Sequence, residues 1–329
     1  PENKLKFKLQ AKFITKLITT SRRKYFRDLI SSHSAQPKKL WSAMDSLLSR
    51  KLPKSLPTYS SASLLASSFL KYFDNKITLL CSAFSNISPS DDFLHPNPSH
   101  PPTILSEFSP ASVDEVRCAI LASSSATCSL DSIPTRLLKS CLDSFVIPIT
   151  TLINFSLSEA TFHPLLKSAI VNPLLKKPVL PHDDLASYRP ISNLNFISKI
   201  LERIIHSRLS DHLQTFPSIS SYQSAYRKYH STETALLRIY NDLLLNINQQ
   251  KLSALVLLDL SAAFDTIDHN ILLNRLTRTF GVTGNALSLL SSYITNRTQS
   301  LTINDHLTSP SPLHTGVPQG SVLGPLLFS

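Results

Sequence analysis

The chain has 329 residues, of which 42% are hydrophobic and 17% charged, and it carries a formal net charge of +11. This composition is typical of a folded protein and argues against an intrinsically disordered one. No apolar run approaches the roughly 20 residues of a membrane-spanning helix, and the four cysteines lack the spacing of a metal site.

The net positive charge is concentrated in the first 54 residues, which hold 14 Lys and Arg against three acids. Leu5, Leu9, Phe13 and Leu17 recur every four residues, which predicts a basic amphipathic helix. We expect this block to bind nucleic acid through counterion release, with a solvated helix face or a membrane-surface helix as alternatives. The candidate nucleic-acid-binding residues are Lys4, Lys6, Lys8, Lys12, Arg22, Arg23 and Lys24.

The segments that follow suggest three regions. Residues 1–84 are predicted to be a basic helical extension, with further helices near 41–48 and 64–80. Residues 85–102 hold five prolines, which is typical of a linker. We therefore expect the folded body to occupy residues 103–329.

Within the body, Ser112 followed by two acids predicts the start of a helix. Local patterns predict further helices at 134–160, 269–280 and 284–295, and strands at 169–175, 253–258 and 298–304. The apolar run SALVLL at 253–258 is expected to be a central strand of the sheet, buried on both faces.

Three aspartates follow that run, in the sequence LLDLSAAFDTIDH (257–269). Asp259 at the end of a buried strand would need a cation or metal, or else hydrogen bonds from turn amides. Asp268 is a good N-cap for the helix after it, and Asp265 is interpreted as a turn residue.

Two other enzyme classes fit the motifs poorly. A haloacid-dehalogenase-like phosphatase needs a second Asp two residues after the first, where this chain has Ser261. A nucleophile-elbow hydrolase needs a serine between two glycines, whereas Ser321 directly follows Gly320.

Three further blocks occur before and after LLDLSAAFDTIDH: DLASYRPISNLNFISKILERII (184–205), YQSAYRKYHSTETALLRI (222–239) and GVPQGSVLGPLLF (316–328). Together the four blocks resemble reverse transcriptases of non-LTR retrotransposons, most of all the jockey-like elements. The first two of these further blocks resemble the fingers motifs of that family, LLDLSAAFDTIDH resembles polymerase motif A, and GVPQGSVLGPLLF resembles motif B. The resemblance implies a mixed α/β (α+β) fold with right-hand polymerase fingers and a partial palm, after a helical N-terminal extension.

The resemblance also implies roles for individual residues. Asp259 and the carbonyl of Leu260 match ligands of two Mg²⁺ ions, and Phe264 matches the aromatic gate that excludes ribonucleotides; its alternative is an ordinary core residue. The positions that match nucleotide-binding residues are Arg189, Arg227, Lys228, Gln319 and Gly320, with surface or phosphate-backbone contacts as the alternative for the basic ones.

The implied partners are an RNA template, a DNA primer and deoxynucleoside triphosphates, in an intracellular ribonucleoprotein particle of the cytoplasm or nucleus, with no membrane. The family's Ala-Asp-Asp block, which completes the metal site, does not occur in the sequence. We therefore interpret the chain as a fragment that is inactive as a polymerase. The alternatives are a nucleic-acid-binding remnant without catalysis and, least favoured, a helical partner-binding protein.

Overall fold

The structure, a computed structural model, describes residues 2–32, 40, 44, 56–84, 103–214, 216, 222–227, 229–260, 262–304 and 306–329, and for residues 2–9 the backbone alone. The chain divides into two compact units, Pro1–Ser55 and Leu56–Ser329. Within the described part of the first unit, the main element is the helix α1 (Glu2–Ser32), which confirms the helix predicted from the four-residue apolar repeat.

The second unit combines helices with one sheet, which confirms a mixed α/β fold. Its helices are α2 (Ala62–Phe84), α3 (Val113–Ala122), α4 (Thr135–Ser140), α5 (Leu142–Ser158), α6 (Phe196–Leu213), α7 (Thr232–Asn248), α8 (His269–Arg278), α9 (Gly284–Ile294) and α10 (Gly324–Phe328). Its strands are β1 (Ser168–Leu175), β2 (Tyr188–Leu194), β3 (Arg297–Ile303), β4 (His306–Leu307) and β5 (Ser311–Leu313).

The sheet has the order β2-β1-β3-β4, and β5 pairs with β3. Strand β1 lies antiparallel to β2, with Val171 opposite Ser192, and parallel to β3, with Ile170 opposite Ser300. The predicted strands at 169–175 and 298–304 are therefore confirmed to within one residue at each end.

Two apolar clusters stabilise this unit. The larger one joins α3, α5, α6 and α9. In the smaller one, Phe69 and Phe73 of α2 pack against the sheet residues Tyr188, Leu301 and Ile303. By packing, α2 thus belongs to the same unit as the sheet, whereas the sequence assigned residues 62–84 to the extension.

The prediction that 253–258 forms a central strand is wrong for this structure. Residues 251–260 have no regular secondary structure, and Leu257 and Leu258 are 81% and 91% exposed. An apolar run becomes a strand only when neighbouring strands bond to its N–H and C=O groups. None of the described strands pairs with this segment.

Two other predictions lie outside the described residues. They are the Pro-rich linker at 85–102 and most of the helix at 41–48. Among the described residues, no helix has both the length and the apolar character that crossing a bilayer requires.

Candidate nucleotide and nucleic-acid site

A short turn carries the aromatic residue that the sequence singled out. We call residues 262–268 the aromatic turn; it connects the exposed segment 251–260 to α8. The ring of Phe264 is half-buried, 5.1 Å from the ring of Phe328 and 6.4 Å from that of Tyr226. Phe264 is therefore in contact with one residue from each of two distant segments, 222–227 and α10.

The two aspartates of the aromatic turn have different roles. Asp268 caps α8, as predicted: its Oδ1 accepts hydrogen bonds from the amides of Asn270 and Ile271 at 2.8 and 2.9 Å. The side chain of Asp265 does more than shape a turn, because its Oδ2 accepts a hydrogen bond from Nε2 of Gln319 at 2.7 Å. Burial raises the pKa of the Asp265 carboxyl, and the hydrogen bond from Gln319 opposes that rise.

Residues 316–323, which we call the glycine turn, approach their neighbours too closely for a side chain at two positions. Gly316 has φ +79°, and a Cβ there would lie 2.6 Å from the carbonyl oxygen of Phe264. Gly320 has φ +118°, and its Cβ would lie 2.6 Å from the carbonyl oxygen of Ser192. Both backbone conformations favour glycine, and neither position has room for a Cβ. This explains why glycine occupies positions 316 and 320.

Backbone hydrogen bonds join the glycine turn to the aromatic turn. The amide of Gly316 donates to the carbonyl of Ile267 at 2.7 Å, and that of Val317 donates to Phe264 at 2.9 Å. A nitrogen of the His269 ring lies 2.8 Å from the carbonyl oxygen of Gly316. The two turns are thus held as one unit although about 50 residues separate them in sequence.

Strand β2 fixes the other side of the glycine turn. The amide of Ser192 donates to the carbonyl of Gln319 at 2.7 Å, so Gln319 is held by its backbone and by its side chain. A cavity of about 20 Å³ lies between Ser192, Asp265, Gln319 and Arg297. It has room for about one water molecule and none for a nucleotide.

A larger groove, of about 270 Å³, lies on another side of the glycine turn. Its walls include Gly320 and two cations of α6, Lys199 and Arg203, which are one helical turn apart. The acid that lines it, Asp131, is already engaged, since its oxygens accept from the amides of Cys128 and Phe196 at 2.8 and 2.7 Å. The groups available to a ligand are therefore basic and polar.

The other residues predicted from the sequence are not assembled with the two turns. Asp259 and Leu260 are exposed in the segment without regular structure, and Leu260 is 68% exposed. Arg189 is an exposed residue of β2, and Arg227 is exposed next to Tyr226. Lys228 lies outside the described residues.

The basic residues of the extension are only partly described. Lys12, Arg22, Arg23 and Lys24 are exposed along α1, whereas the side chains of Lys4, Lys6 and Lys8 lie outside the described part. Exposed cations concentrated on a helix attract a polyanion.

Sequence reasoning missed two features of the site. It did not find the hydrogen bond between Asp265 and Gln319, because nothing local connects positions 54 residues apart. It also missed Glu202, whose side chain accepts hydrogen bonds from the backbone of the glycine turn. The acidic residue among the four apolar residues of ILERII (200–205) was the available signal for Glu202.

Comparison with known proteins agrees with the motifs. The family profile described as "Reverse transcriptase (RNA-dependent DNA polymerase)" matches residues 175–329. In Drosophila melanogaster, the probable RNA-directed DNA polymerase from transposon BS is 33% identical over 156 residues, or 47% of this chain and 17% of that protein. The RNA-directed DNA polymerase from mobile element jockey is 31% identical over 199 residues, or 60% of this chain and 21% of that protein.

A third relative, the probable RNA-directed DNA polymerase from transposon X-element of the same fly, is 30% identical over 224 residues, or 68% of this chain and 24% of that protein. The chain thus spans about a quarter or less of the length of these relatives. The profile match includes both the aromatic turn and the glycine turn. Residues 175–329 thus match the reverse transcriptase family, and the chain is similar to RNA-directed DNA polymerases of Drosophila transposons and mobile elements.

Proposed function

We propose that residues 103–329 form the fingers and part of the palm of an RNA-directed DNA polymerase. The enzyme copies an RNA template by adding deoxynucleotides to the 3′-hydroxyl of a DNA primer. The observation that carries this proposal is the union of the aromatic turn with the glycine turn, in which Phe264 and Gln319 are fixed by hydrogen bonds of 2.7 to 2.9 Å.

The fixed residues suggest how a deoxynucleotide is selected and held. A half-buried ring at Phe264, supported by Tyr226 and Phe328, would occupy the space of a ribose 2′-hydroxyl. The exposed guanidinium groups of Arg189 and Arg227 suit the oxygens of a triphosphate, because they are permanently charged forked donors. We assign Lys228 to the same role.

The family generally uses divalent metal ions, which in polymerases stabilise the attacking and leaving oxygens of an in-line displacement. The carboxylates of the described residues do not suit two Mg²⁺ ions, since no group of three or more His, Cys, Asp and Glu residues is arranged to hold a metal among them. Asp259 and the carbonyl of Leu260 alone supply too few oxygen ligands. We therefore expect that the polypeptide 1–329, tested by itself, does not synthesise DNA.

A second candidate function is nucleic-acid binding without catalysis. The basic groove beside Gly320 supports it, because Lys199 and Arg203 are placed to contact consecutive phosphates of a strand that passes the glycine turn. The exposed cations of α1 would add a second contact region. In this proposal the chain acts within a ribonucleoprotein particle in the cytoplasm or nucleus.

Two measurements test these functions. In a primer-extension assay with Mg²⁺ and all four deoxynucleotides, the polypeptide 1–329 is expected to yield no product; magnesium-dependent extension would contradict the incomplete metal site. In a binding assay with an RNA–DNA duplex, log K is expected to fall steeply with log salt concentration, and a salt-independent affinity would count against both functions.

Variants separate the two contact regions. The double variant Lys199→Gln/Arg203→Gln removes two phosphate contacts, so the salt slope should become shallower by roughly 1.5 to 2. Lys177→Gln, an exposed control away from the groove, should leave the slope unchanged. Deletion of residues 1–54 tests α1: unchanged RNA affinity would exclude it as a binding region.

A further inference from the structure

Glu202 is a fully buried carboxylate of the second unit. It lies in α6 between the core residues Leu201 and Ile204, and its exposed fraction is 0%. A carboxylate in such a place is costly unless several donors surround it. Burial raises the pKa of the Glu202 carboxyl, and the positive charge of the buried Arg297 opposes the rise.

The donors around Glu202 come mostly from outside its own helix. Its Oε2 accepts from the amides of Val322 and Leu323 at 2.6 and 3.1 Å, and from the hydroxyl of Tyr293 at 3.2 Å. Its Oε1 accepts from the hydroxyl of Ser198 at 3.3 Å. Two consecutive backbone amides at the end of the glycine turn thus share a single carboxylate oxygen.

We propose that Glu202 is a positioning residue that fixes the glycine turn for nucleic-acid binding. The inference rests on the proposed function of Gln319 and Gly320. Asp265 and Ser192 hold the turn at Gln319, and Glu202 holds it at Val322. Gly320 therefore lies between two anchored positions.

The backbone freedom of Gly320 explains why a strong anchor is needed there. Glycine reaches φ +118° without steric cost, but it also has more alternative conformations to lose than any other residue. A carboxylate suits this task, because charge-assisted hydrogen bonds are shorter and stronger than neutral ones. Glu202 does not itself reach a ligand, so its effect passes through the turn.

The inference predicts a graded effect of substitution on amide exchange. Glu202→Gln keeps a carbonyl acceptor for both amides but removes the charge, whereas Glu202→Met keeps the length and removes the acceptor. Hydrogen–deuterium exchange of the full chain should accelerate in peptides covering 320–326 by about fivefold in the first variant and about 100-fold in the second. Exchange in α5 should change by less than about twofold.

Duplex binding supplies the functional readout. Affinity for an RNA–DNA duplex should fall several-fold in Glu202→Met and return most of the way in Glu202→Gln. Glu107→Gln, at an exposed glutamate, is the control and should change neither exchange nor affinity.

Three results would overturn the proposal. The first is amide exchange at 320–326 in Glu202→Met that equals the wild-type rate, and the second is an acceleration in α5 as large as that in the turn. The third is a duplex affinity of Glu202→Met that equals that of the wild type. If Glu202→Met does not fold, the comparison of wild type with Glu202→Gln decides. If the wild type binds no duplex, the proposed function fails, while the exchange pattern still decides whether Glu202 positions the turn.

Discussion

Replacement of Gly320 by alanine tests the geometry of the glycine turn most directly. The new Cβ would lie 2.6 Å from the carbonyl oxygen of Ser192, well inside contact distance. Ser192 cannot retreat easily, because it is paired with Val171 in the sheet and its amide donates to Gln319. The turn has to move instead.

Two costs combine in Gly320→Ala. A non-glycine residue at φ +118° costs about 1 to 3 kcal/mol, and forced displacement of a packed segment costs a similar amount. We expect a loss of about 3 kcal/mol in the free energy of unfolding, since part of the strain relaxes as the turn shifts. For a unit of this size, that corresponds to a fall in Tm of roughly 6 to 12 °C.

Thermal unfolding followed by far-ultraviolet circular dichroism would measure the change. Gly324→Ala is the matched control: its Cβ would meet the hydroxyl oxygen of Ser321 at 2.6 Å, and that side chain can rotate away at the cost of the hydrogen bond it accepts from the Gly324 amide at 3.0 Å. The control should lose about 1 kcal/mol. Equal Tm values for the two variants, or a wild-type Tm for Gly320→Ala, would refute the close approach to β2.

Three further substitutions have defined outcomes. Asp268→Ala should lower the free energy of unfolding by about 1 kcal/mol in urea titrations, whereas Asp268→Asn should stay near wild type because it retains a cap. Asp265→Asn should be at least as stable as wild type at pH 7. Folding raises the pKa of Asp265, so the wild type loses stability as the pH rises above 3.8, the ordinary pKa of an aspartate. The difference in Tm between the two proteins should therefore vanish below pH 3.8. Arg208→Lys should lose about 2 kcal/mol, since Arg208 binds Glu115 through two nitrogens at 2.8 and 3.0 Å; a loss below 0.5 kcal/mol in chemical unfolding would contradict this.

Local patterns in the sequence predicted much of the secondary structure. Ser112 and Asp268 cap helices as expected, because an N-cap depends on a residue and the three positions after it. The strands near 169–175 and 298–304 were also predicted from local patterns. Each of these features depends on neighbours in sequence, which a single chain displays.

The same reasoning failed where partners are remote. SALVLL at 253–258 has the composition of a buried strand, but composition does not supply the adjacent backbone that a strand requires. Asp265 was interpreted as a turn residue, although its hydrogen bond to Gln319 spans 54 positions. The motifs named candidate residues near this site, and the tertiary contacts show which of them meet.

The contacts divide the proposed site into two parts that differ in how many hydrogen bonds hold their residues. The part that would recognise the sugar and template is built by Phe264, Gln319 and Gly320, whose anchors all lie within the chain. The part that would hold metal depends on Asp259, which lies in an exposed segment without regular structure. Since the first part is assembled without the second, nucleic-acid recognition by this polypeptide should not require the geometry of catalysis. A strand that paired with residues 253–258 would bury the exposed leucines beside Asp259 and fix the backbone that carries its carboxylate, so strand pairing there and formation of a metal site should be coupled.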